Sequence, residues 1–135
     1  MPWTAQYVSD GVYTAFRGHT IGDEVLAAVK DFFAHRYIHK PYFALFDCTD
    51  VSEFDVESIH IDRIIMEDRR AAATMDDVAI AVVAPDPIQY GIARMWQTRL
   101  EPTPWRTTVV TSLGEALRWL GEQGVDTERV AVPHD

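Results

Sequence analysis

Residues 43–55 read FALFDCTDVSEFD, an apolar run that breaks into Asp47, Cys48, Thr49, Asp50, Ser52, Glu53 and Asp55. Paired carboxylates do general acid–base work when one is held in an apolar pocket with a raised pKa and the other stands across the substrate. Cys48 would be a nucleophile if it were exposed, in positive surroundings and paired with a His. A hard cation is a third use, but the spacing lacks the Gly and the terminal Glu of a calcium loop. The bland reading is a turn, in which Asp50, Ser52 and Asp55 satisfy backbone amides at a helix start and Cys48 is a buried strand-end residue. No matched partner for a catalytic carboxylate is visible, so the turn reading leads. A small enzyme using Asp47–Asp55 with Cys48 or Arg94 is the alternative.

A second constellation lies in PDPIQYGIAR, residues 85–94. Tyr90 and Arg94 are four apart on a helix face, and Gly91 between them would let a backbone or ligand approach closely. Ligands of open α/β sheets bind beyond the carboxyl ends of the strands. The expected binding site is therefore a cleft in which Asp47, Thr49, Asp50 and Ser52 face Tyr90, Gly91 and Arg94, with Arg94 paired to Asp47 or Asp50. His35 and His39 are placed one helical turn apart near a helix end, where the dipole favours them, and they lack the Glu of a zinc-protease pair. No phosphate loop, dinucleotide-binding glycine pattern or Gly-x-Ser-x-Gly elbow occurs, so neither a catalytic residue nor a metal or cofactor is expected.

The elements that must position these residues follow from periodicity. Tyr, Val and Phe alternate on both sides of Asp10-Gly11, which predicts a hairpin with a positive-φ turn. Thr20 is expected to cap a helix carrying Val25, Val29, Phe32, Phe33 and Tyr37 that stops before Pro41. YFALFDC from Tyr42, VAIAVVA at 78–84 and TTVVT at 107–111 are apolar on both faces, the mark of parallel strands covered by helices. Between the first two, a helix over roughly 56–72 has two apolar stripes: Ile61, Ile64, Ile65 and Ala72, and Ile59, Met66 and Ala73. One stripe faces the sheet. The other, with Ile59 and Met66, is expected to make a homodimer interface or to meet an apolar ligand. Ser112 and Glu115 have capping-box spacing ahead of the last helix, which Gly124 ends.

Composition sets the outer limits. A chain of 135 residues with 47% hydrophobic content fits one domain, 1–135, with residues 125–135 expected as a loosely attached tail. Twelve Lys and Arg against 21 Asp and Glu give a net charge of −9, which repels nucleic acid. One Cys excludes a disulfide framework. The first 20 residues lack a secretion signal, and no apolar stretch reaches membrane-spanning length, so a cytoplasmic location is expected.

The order two strands, helix, strand, helix, strand, helix, strand, helix resembles the STAS fold of anti-sigma factor antagonists. Gly91, Arg94, Met95 and Trp96 after Ala84-Pro85, then Glu115, Ala116, Trp119 and Leu120, are similar to the second half of the SpoIIAA-like bacterial family. The resemblance implies a STAS-like α/β fold: a mostly parallel sheet with an N-terminal antiparallel hairpin and four helices. It also implies a regulatory or binding module, whose related folds include lipid-carrying domains with an apolar pocket. With no catalytic motif in view, the leading reading is a non-enzymatic regulatory or ligand-binding module taking a small apolar, lipid-like or anionic ligand or a regulatory protein partner. Aligned with the Asp-Ser-Ser-Gly motif of the antagonists, Asp47-Cys48-Thr49-Asp50 puts Thr49 at the phosphoacceptor position, with Asp50 where the family has Gly.

Overall fold

The structure, a computed structural model, describes residues 3–130. Five strands form one sheet in the order β1 (Trp3–Val8), β2 (Gly11–Ile21), β3 (Tyr42–Asp55), β4 (Val78–Val83) and β5 (Arg106–Val110). β1 and β2 are the expected antiparallel hairpin, and every later pair is parallel. Gly11 serves that hairpin by contact rather than by left-handed backbone. Its φ is not positive, and a Cβ there would lie 2.3 Å from the Phe43 ring and carbonyl.

Strand order equal to sequence order decides where the helices go. Right-handed crossovers between successive parallel neighbours put each connecting helix on the same face. α1 (Gly22–Ala34), α2 (Ser58–Ala72) and α3 (Pro87–Leu100) accordingly pack together over Val12, Phe16, Ala44, Phe46, Cys48, Val78 and Ile80. α4 (Leu113–Glu122) has no strand to return to and folds over the other face, against Tyr13, Phe43, Leu45, Ala79, Ala81 and Val83. Alternation along each strand feeds both cores, which explains the unbroken apolar runs.

Local chemistry sets the helix ends. Asp86 caps α3 by accepting from the amides of Ile88 at 2.9 Å and Gln89 at 3.3 Å, with Pro87 in the first turn. Ser112 caps α4 through the Glu115 amide, as its spacing predicts. Thr20 does not cap α1. It is fully buried, its hydroxyl donates to the Arg17 carbonyl, and Ile21 holds the cap position. α1 also stops at Ala34, so His35 and His39 are not on one helix turn. His35 instead stacks on Tyr7 with ring centroids 3.9 Å apart.

The chain after α4 is not loose as far as it is described. Val125 and Val130 are buried in the second core, and Arg129 donates to the Ser9 hydroxyl at 2.9 Å. Residues 131–135 of the expected tail lie outside the described residues.

Candidate functional site

The acidic segment is strand, not turn. β4 pairs β3 only as far as Asp47, opposite Val83, but the second half of β2 continues alongside Asp50 to Asp55. Asp47 is buried on the α4 side of the sheet. It accepts from the Tyr13 hydroxyl at 2.7 Å, from the Thr49 amide at 2.9 Å and from the Thr49 hydroxyl. Thr49, Asp50 and Ser52 are exposed, and Asp50 stands in register with Arg17. Beyond a bulge at Gly18, His19 Nε2 lies 3.0 Å from Glu53 and 3.5 Å from Asp55, an exposed group whose side chains meet one another.

The expected cleft between this edge and α3 is not formed. α3 covers the sheet face opposite to the one Asp47 points into, which follows from strand parity: Asp47 shares its side with Phe43 and Leu45, while α3 packs with Ala44 and Phe46. Arg94 is exposed and donates to Gln97 Oε1 at 2.5 Å, and Gln97 in turn donates to the Thr107 carbonyl. No pair between Arg94 and Asp47 or Asp50 is made. Tyr90 is half-buried, and a Cβ on Gly91 would meet nothing within 4 Å, so that glycine serves no close approach.

What the fold does build is a cavity of about 80 Å³ between α1, α2, α3 and the sheet. Phe16, Phe46, Ile80 and Val82 form its floor, and Val29, Phe32, Ile64 and Trp96 are among the helix residues that roof it. Val25, Phe54, Val56 and Ile92 line it while keeping partial exposure, which marks an opening toward the carboxyl ends of the strands. Cys48 is in the wall, 5% exposed. Burial, helped by the Asp47 charge, pushes its thiol up to about 12, the reverse of an activated nucleophile.

Two polar side chains interrupt the apolar wall. Gln89, 4% exposed, spends its Oε1 on the Asp86 amide at 3.4 Å. Asp68, 2% exposed, accepts from the Trp96 indole N–H through Oδ2 at 2.7 Å, and among the described residues no donor meets its Oδ1. Burial pushes the Asp68 carboxyl up from 3.8 to about 7; the Trp96 donor opposes the rise and the Glu67 charge adds to it. Sequence reasoning missed Asp68, although a signal was present. The stripe Ile61, Ile64, Ile65, Ala72 passes through position 68 at helical spacing, so a carboxylate interrupts an otherwise apolar face.

The other α2 stripe is where periodicity put it. Ile59 is 48% and Met66 61% exposed. No helix among the described residues is long and apolar enough to cross a membrane.

No protein-family model matches this sequence, and no curated protein matches it. The fold is similar to the crystal structure of an uncharacterised DUF3478-family protein with a SpoIIAA-like fold from Shewanella loihica. The TM-score is 0.53 at 13% identity, over 87% of this chain and 91% of that one. At that identity the likeness concerns the path of the chain rather than the residues of a site. The protein has a SpoIIAA-like fold, a five-stranded α/β sheet with one antiparallel edge and four helices.

Proposed function

We propose that the protein is a non-enzymatic regulatory module that takes a small, largely apolar molecule into the cavity under α1, α2 and α3. The cavity itself carries this reading. Protein interiors pack to crystal-like density, so an apolar space of about 80 Å³ under three helices offers an apolar occupant wall contacts that water does not make. Its mouth opens toward the carboxyl ends of the parallel strands, the end at which open α/β sheets bind ligands. An anionic ligand is disfavoured by the Asp68 carboxyl in the wall and by the net charge of −9. Catalysis at the acidic edge has less support, since Asp47 is engaged by Tyr13 and Thr49 and the Cys48 thiol is held neutral.

Trp96 in the wall and Trp119 beside the other core give an internal control. Titration with n-pentane should shift the Trp96 indole resonance saturably and leave Trp119 still. Equal movement of both, or of neither, would overturn the reading.

Self-association through α2 is proposed separately, from the exposed Ile59 and Met66 on one face. Sedimentation should show a dimer that Met66→Glu converts to monomer; a monomeric wild type removes the idea. Thr49, exposed on the outer half of β3, is the candidate phosphoacceptor, and phosphate there would add charge beside Asp47 and Asp50.

A further inference from the structure

The cavity is not uniformly apolar, and the way it departs from uniformity selects its ligand. Asp68 lies seven residues past Ile61, about 10 Å further along α2 at 1.5 Å per residue, and so at the inner end of a cavity that opens near Phe54 and Val56. Trp96 is level with it on the neighbouring helix and occupies Oδ2. Asp68 lines the cavity, and among the described residues no hydrogen-bond donor meets its Oδ1.

Resting on the reading of the cavity as a ligand site, we propose that its ligand is a neutral molecule with an apolar body and one hydroxyl group, which enters hydroxyl first and donates to Asp68 Oδ1. The apolar wall made by Phe16, Phe46, Ile64 and Ile80 takes the body. A carboxylate would set like charge against Asp68 at the bottom of a site with no cation in its wall. An ammonium group would have to leave water for a single buried carboxylate, a transfer whose desolvation cost offsets the attraction. A hydroxyl avoids both costs. It donates to the ionised carboxylate and accepts from the protonated acid, so it suits a group that changes state near neutral pH. The space of about 80 Å³ is several times what one water needs, and a longer body extends into the mouth.

The probes are n-butanol and its isomer methyl propyl ether, equal in size and differing in the donor, with n-pentane as the fully apolar member. Each is titrated at about pH 8 into the wild-type protein and into Asp68→Asn, with the Trp96 indole resonance as readout. Asparagine keeps an acceptor for Trp96 and presents an N–H₂ to the cavity, which donates equally well to an alcohol or an ether oxygen. In the wild type the alcohol should bind about tenfold more tightly than the ether, the worth of one charge-assisted hydrogen bond. In Asp68→Asn that preference should vanish. Equal binding of all three by the wild type would leave the apolar cavity standing and overturn the hydroxyl assignment, as would a preference that survives in Asp68→Asn. Binding of none would overturn both.

Discussion

Asp68→Asn also measures what the cavity costs the fold. In the unfolded chain the carboxyl titrates near 3.8, and in the folded protein burial raises it to about 7. The folded state therefore binds the proton more tightly than the unfolded state, and stability is lost as pH rises through the interval between those values. At about 1.4 kcal/mol per pH unit, the full difference is about 4 kcal/mol, an upper limit that local relaxation or water entry reduces. Asparagine has no proton to lose and keeps the acceptor for the Trp96 indole. The variant should match the wild type at about pH 4, gain on it steadily to about pH 7, and hold a constant advantage of about 2–4 kcal/mol above that. Urea denaturation of both proteins from about pH 4 to about pH 8.5 gives the difference curve, in which groups common to both cancel. A variant less stable than the wild type at about pH 8, or a difference that does not change with pH, would refute the reasoning.

Other outcomes follow from the same contacts. Tyr13→Phe removes the hydroxyl donor from buried Asp47 and should cost about 1–3 kcal/mol in the same assay; no change would mean that the two Thr49 donors suffice. Cys48, buried and with its thiol pushed up to about 12, should react with a thiol reagent at neutral pH only as fast as the protein opens, so rapid labelling of the folded protein would contradict its placement. Ala93→Leu, in the cavity wall, should fill part of the void and weaken n-pentane binding with the fold retained; unaltered binding would put the pentane elsewhere.

The sheet was legible because its strands are buried on both faces. YFALFDC, VAIAVVA and TTVVT have no polar side to confuse them with amphipathic helices, and each is followed by a helical pattern. The outer half of β3 was not legible for the opposite reason. Past Asp47 it pairs only with β2, so Thr49, Asp50, Ser52, Glu53 and Asp55 are exposed and read as a loop. Arg94 was assigned to the wrong neighbours because spacing along α3 gives its position on a helix, while the sheet face that α3 covers follows from crossover handedness and strand parity together. Asp68 stayed hidden because a carboxylate within an apolar stripe has meaning only once its partner is known, and the Trp96 indole arrives from 28 residues away in sequence.

The central claim is that the space under the three helices of one sheet face accepts apolar matter. A crystal pressurised with xenon tests it most directly, since apolar cavities in proteins take up xenon without needing a polar contact. The account predicts xenon between Phe16, Phe46, Ile64 and Trp96 with the helices in place. Density for water alone at that position, or xenon bound only elsewhere, would contradict it.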